Sequence, residues 1–205
     1  MSKIQVDTID TRSGTSTMQI GSTNTTTITL GVSGDTINVP SGVTIANAGT
    51  ATGFGESNTP YFLARLSANQ DVSDNTATTI VFNQEGLDSG SGYDTSNGKY
   101  TIPSGEGGKY YFAFYGEGDG GGAGGLIDVF AYIMHDGAEI ARGTVGLDTA
   151  RCDIMTAVAA TLVTCAAGDE ITCMGKVNNA SGSNTRFAGE SGKNRTYFLG
   201  FKVSS

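Results

Sequence analysis

KYYFAFY, residues 109–115, places five aromatic side chains in seven positions. In an extended strand successive side chains point to opposite faces, so Tyr110, Phe112 and Phe114 share one face and Tyr111, Ala113 and Tyr115 the other. Aromatic residues fit a pleated, half-buried surface. A strand with large groups on both sides needs something to cover each. The alternation predicts that one set enters the core of a sandwich; the other is either core as well or open to a neighbouring subunit.

Strand-like segments follow on either side of this stretch. YFLARLSA (61–68), TTIVF (78–82) and YTI (100–102) precede it, and LIDVFAYIM (126–134) and EIARGTV (139–145) come after. DIMTAVAATLV (153–163) has some helical propensity, but its Val, Ile and Thr content and its neighbours predict a strand. DEITCMGKV (169–177) and RTYFLGFKV (195–203) complete the series. HDG (135–137), AAGD (166–169) and NNASGSN (178–184) supply the turns. About eight to ten short strands with glycine-rich turns and no helix predict an all-β sandwich or jelly roll over residues 61–205.

The preceding part has different physics. TTTITLGVSGDTINVPSGVTIANAG, residues 25–49, contains no aromatic residue and one charge, Asp35. Ile28, Leu30 and Val32, and then Ile37 and Val39, alternate with polar residues. Ile4, Val6, Ile9, Met18 and Ile20 mark further short strands upstream. Strands this short and half polar bury too little apolar area to offset their conformational entropy. Residues 1–52 are therefore expected to form an extended β-rich segment completed by other chains. Residues 53–60, rich in Gly, Ser and Asn and ending in Pro60, are expected to act as a hinge.

Composition removes several function classes. The 205 residues carry a formal charge of -8, which excludes the clustered Lys and Arg of a phosphate-binding surface, so no nucleic-acid partner is expected. MSKIQVDTIDTRSG has no basic start followed by an apolar run, so neither a secretory leader nor membrane insertion is expected. The three cysteines, Cys152, Cys165 and Cys173, lack metal-ligand spacing. They are expected to be reduced and mostly buried, one disulfide with one thiol left over being the alternative. His135 is the only histidine. Beside Asp136-Gly137, a hairpin signal, it is expected to be solvated.

Catalytic chemistry finds little support. Asp88, Asp94, Asp119, Asp128 and Asp148 are scattered, without the paired arrangement of a glycosidase or a dense calcium loop. No catalytic residue, metal or cofactor is expected. GEGDGGGAGG (116–125) is no phosphate loop, because no Lys-Ser/Thr pair or helix follows. It is expected to form a loop between strands. That loop is either a plain connection or a recognition loop carried by Gly116, Asp119, Gly122 and Gly125.

Residues 61–203 resemble the globular head of the complement collagen-like subcomponent, a jelly roll shared with the tumour necrosis factor superfamily. Phe62, Ala64 and Leu66 resemble that family's opening strand, and Asn83 the end of a short following one. Tyr93-Asp94, then Gly98, Tyr100 and Pro103, then Gly108, Tyr110 and Phe112 follow its order. Gly168-Asp169 resembles its turn, and TYFLGFKV (196–203) its closing strand. EITCM (170–174) and the glycine run depart from the pattern. The resemblance implies a homotrimer with one sheet of each jelly roll facing the axis. Phe62, Tyr110, Phe112, Phe198 and Phe201 are then core or trimer-interface aromatics.

IQVDTIDTRSG and ITLGVSGDTINVPSGVTI resemble the attachment sequences of bacteriophage fibre proteins. That implies a trimeric tail fibre made in the host cytoplasm. Its residues 1–52 dock to other virion proteins, and its knob binds a host glycan or protein, or another virion component. A capsid head fibre or decoration protein shares these features. A jelly-roll carbohydrate-binding or carbohydrate-cleaving protein is the alternative of another class.

Overall fold

A computed structural model describes residues 27–30, 33–44, 58–122, 125–148, 151–182 and 184–204. The chain divides into two compact units, Met1–Thr52 and Gly53–Ser205. The described residues of the first unit form no strand and make turns at 33–34 and 41–42. Ile28, Leu30, Ile37, Val39 and Val43 are exposed. The strands predicted at Ile28–Leu30 and Ile37–Val39 are thus not formed by the single chain, which leaves these apolar side chains exposed. Ile4, Val6, Ile9, Met18, Ile20, Val32 and hinge residues 53–57 lie outside the described residues.

The second unit is all-β, and no helix among the described residues is long and apolar enough to cross a membrane. Its strands are β1 (Tyr61–Arg65), β2 (Gln70–Asp71), β3 (Thr78–Thr79), β4 (Gln84–Asp88), β5 (Tyr93–Asp94), β6 (Lys99–Thr101) and β7 (Gly108–Asp119). They continue with β8 (Leu126–His135), β9 (Ala138–Gly146), β10 (Ile154–Cys165), β11 (Glu170–Asn179), β12 (Arg186–Phe187) and β13 (Tyr197–Ser204). Of TTIVF only Thr78–Thr79 is strand, although Ile80 and Phe82 are fully buried. DIMTAVAATLV is strand from Ile154 onward, as expected.

The strands make two sheets. One runs β2-β12-β7-β13-β1-β4, with β10 on the other edge of β7. The second runs β5-β6-β11-β8-β9, with β3 also paired to β11. The first and last strands of the head are antiparallel neighbours: Tyr61 faces Phe201, and the Lys202 N–H donates to the Pro60 carbonyl at 2.9 Å.

The inner faces meet in an aromatic core, because aromatic rings bury the largest apolar area per side chain. Phe62 stacks on Tyr100 at 4.1 Å between centroids and meets Phe198 edge-on at 4.8 Å. Tyr110 stacks on Phe112 at 5.7 Å, and its hydroxyl donates to the Glu106 carbonyl at 2.6 Å. A buried phenol needs such a partner.

Where β9 and β10 approach, a Cβ on Gly143 would overlap the Val158 carbonyl oxygen. The obstacle is backbone, which cannot swing aside. Gly143→Ala is expected to cost about 2–3 kcal/mol, as overpacking does. Urea denaturation of the full chain checks it.

Candidate functional site

The outward face of the β1-β13-β7-β10 surface has the composition of an interface. Register pairs place its side chains in rows, since residues directly opposite on adjacent strands share a face. One row is Tyr61, Phe201, Tyr111 and Leu162. The next is Leu63, Leu199, Ala113 and Ala160. The third is Arg65, Tyr197, Tyr115 and Val158. The first two rows carry no charge, in a chain whose formal charge is -8.

Exposure separates this face from the core. Leu162 is 66% exposed, and Tyr61, Ile154, Val158 and Val203 are exposed too. Scattered exposed apolar residues are ordinary, but a contiguous patch marks an interaction site. The tyrosines are pre-ordered. Tyr115 and Tyr197 stack at 4.6 Å and 9°, and Tyr111 tilts against Phe201 at 5.4 Å. Rigid aromatic groups lose little entropy on association. Desolvation holds the Tyr197 hydroxyl above its ordinary pKa, so it stays neutral at physiological pH. A charged rim closes one end: Glu117 accepts from Arg195, and Asp119 from Arg186 at 2.9 Å.

The five aromatics singled out from the sequence divide between the two faces. Phe62, Tyr110, Phe112 and Phe198 are buried in the core and reach no interface. Phe201 is only half-buried, on the outward face. The sequence reading put Tyr111 and Tyr115 on one face, as the strand places them, and did not single out Tyr61, Tyr197 and Leu162 on the same face. Their alternation with core residues was the available signal.

The first four residues of the glycine run, 116–119, are strand, and the rest connects β7 to β8. Gly116 and Asp119 lie within β7, opposite Ala157 and Ile154. Asp119 is 9% exposed and ion-paired to Arg186. The glycines are there because larger residues do not fit: a Cβ on Gly116 would come 2.9 Å from the Phe187 ring, and one on Gly118 would press on Val129. Gly125 is buried, and a Cβ there would overlap the Asn179 side chain. Among the four recognition-loop candidates only Gly122 is exposed, in a turn with Gly121, and both have positive φ. Ala123 and Gly124 lie outside the described residues.

A second grouping lies at one end of the sandwich, where the β8–β9 and β10–β11 turns meet. His135 ends β8, Cys165 ends β10, and Asp169 sits just before β11. The His135 Nε2 is 2.7 Å from Asp169 Oδ2. The same oxygen accepts from the Ala166 N–H at 2.8 Å, and these two bonds hold the Asp169 carboxyl below its usual pKa. Asp136 Oδ2 lies 3.6 Å from the imidazole. His135 is thus a partly buried, hydrogen-bonded residue, not the solvated turn histidine expected.

The thiols are free, with Cys165 and Cys173 buried and Cys152 partly so. Burial raises Cys165 to about 11, helped by Asp169 and Asp136. It is no nucleophile in this state. Near the same end, a depression of about 630 Å³ is lined by residues including Gly92, Tyr93, Thr101 and Gly168.

No family model matches the chain. No curated protein matches it either. Solved structures do. The globular domain of zebrafish complement 1qA protein superposes with a TM-score of 0.51 at 13% identity, covering 71% of this chain and 98% of that one. Murine APRIL gives 0.50 at 13% identity, over 70% of this chain and 98% of that one. Eiger TNF from S. frugiperda gives 0.50 at 10% identity, over 71% and 91%. At these identities the likeness concerns fold alone: the head is similar to jelly rolls of the complement globular-head and tumour necrosis factor type.

Proposed function

We propose that the chain is a non-enzymatic structural component of a virion, a homotrimeric tail fibre. Its head associates through the outward β1-β13-β7-β10 face, and its N-terminal segment docks to the particle. The observation that carries this reading is the aromatic three-row face, charged only at Arg65 in its third row, which a single chain leaves in water. A second copy suits it better than a charged partner, because the first two rows offer no charge to pair. The resemblance of residues 1–52 to fibre attachment sequences supplies the virion half of the reading. The exposed Ile28, Leu30, Ile37, Val39 and Val43 supply its physical rationale: they become buried when three copies wind together. The free outer loops of the trimer then present the host-binding surface.

Light scattering on the purified full chain at micromolar concentration tests the first half, with three times the chain mass expected. A folded monomer would overturn it. Removing residues 1–57 tests the second. The shortened chain is expected to fold and trimerise, because the aromatic core and the outward face both lie after Asn58, but to be absent from assembled particles. Imaging labelled fibres on the particle distinguishes tail from capsid attachment.

A further inference from the structure

We propose that His135, Cys165 and Asp169 form a binding site for a divalent transition-metal ion, with zinc(II) the best match. The three residues bring an imidazole nitrogen, a sulfur and a carboxylate oxygen to one place, and their ligand atoms all lie within 4.8 Å of one another. These are the donor types zinc takes. Zinc bonds of about 2.0–2.3 Å in a tetrahedron put ligand atoms roughly 3.3–3.8 Å apart. The present spacing is a small side-chain adjustment from that. The ion would take the place of the proton shared between His135 and Asp169, and those two atoms would separate slightly from 2.7 Å.

The backbone around the three residues is fixed. The Asp136 N–H donates to the Glu170 carbonyl at 2.9 Å, and the Gly168 N–H to the Ile102 carbonyl at 2.9 Å. The Asp136 side chain ties back to the Glu170 N–H at 2.9 Å. Three ligands on separate hydrogen-bonded elements make a preorganised set, and the Ala166 N–H orients the Asp169 carboxylate from behind.

Electrostatics point the same way. Two carboxylates, Asp169 and Asp136, surround one imidazole and one buried thiol, an environment that favours a cation. Cys165 is 3% exposed, which closes the sulfur to bulky substrates. The partial exposure of His135 and Asp169 leaves one side open for the ion to enter and for water to complete its shell. The site lies within one chain and does not depend on trimerisation.

The test uses the full chain, stripped with a chelator and titrated with Co²⁺. One Co²⁺ per chain is expected, with a near-ultraviolet thiolate charge-transfer band and visible bands of four-coordinate geometry, both abolished by added Zn²⁺. Cys165→Ala should remove the charge-transfer band and weaken binding by more than about 100-fold, beyond the loss typical of an outer-shell change. His135→Gln should weaken binding similarly. Should Cys165→Ala fail to fold, the variant lacking Cys152 and Cys173 decides, since its sole thiol is Cys165. A band retained there supports the site, and a band lost overturns it. A folded wild-type chain that gives no thiolate band, or a band unchanged in Cys165→Ala, also overturns it.

Discussion

Replacing Phe198 with Ala is expected to cost about 3–5 kcal/mol, a large part of the roughly 5–15 kcal/mol that holds a typical domain together. Phe198 is fully buried. Its ring meets Phe62 at 4.8 Å, Phe82 at 5.9 Å and Phe112 at 6.0 Å. Phe62 and Phe112 sit on other strands and Phe82 on the segment between β3 and β4, all held by their own neighbours, so they do not collapse into the space left. The melting temperature of the full chain should fall by roughly 10 °C or more, measured by circular dichroism at fixed concentration. Phe201→Ala is the control. That residue, further along the same strand, lies half-buried on the outward face. In a dissociated chain its loss should cost only about 1 kcal/mol, in proportion to the smaller area it buries. A larger loss that grows with chain concentration would mark the partner that covers it.

Leu162→Asp is expected to turn a trimer into a folded monomer. On a single chain the position is 66% exposed, so a charge there should change stability by no more than about 0.5 kcal/mol. In an associated face the same carboxylate is desolvated beside Tyr111, its register partner. An unpaired buried charge costs several kcal/mol per copy, enough to dissociate the assembly. Light scattering should report the chain mass with an unchanged far-ultraviolet spectrum. A mass still three times that of the chain would place the interface elsewhere. Thr144→Asp, at an exposed position of β9 in the other sheet, distinguishes an effect of this face from a general effect of charge.

The strands of the head were legible because period-two alternation is a local signal. KYYFAFY and TYFLGFKV carry it plainly, and β10 could be separated from a helix by its β-branched residues. The first four residues of the glycine run were misread because glycine signals loops through its conformational freedom. Gly116 and Gly118 serve a different need, clearance for Phe187 and Val129, which come from distant strands. The strands read at Ile28–Leu30 and Ile37–Val39 are not formed by the single chain for the reason the sequence itself offered: alternation proposes a strand, but only burial makes one. The metal-ligand set was invisible for another reason. Cys165 and Asp169 follow His135 by 30 and 34 positions, and only the meeting of two turns brings them together. Cys165 and Asp169 are four positions apart, but the third residue comes from a distant turn that no motif read along the chain includes.

The pairing of β1 with β13 has a consequence for descent. Because the chain enters and leaves the head on adjacent strands, with Pro60 bonded to Lys202, the whole jelly roll hangs from one point. Such a unit can be cut out and spliced onto another carrier without threading a strand through its new host. Selection can then exchange the head as a cassette while the segment that precedes it is kept. Residues near the junction, rather than those in the aromatic core, would decide which exchanges succeed.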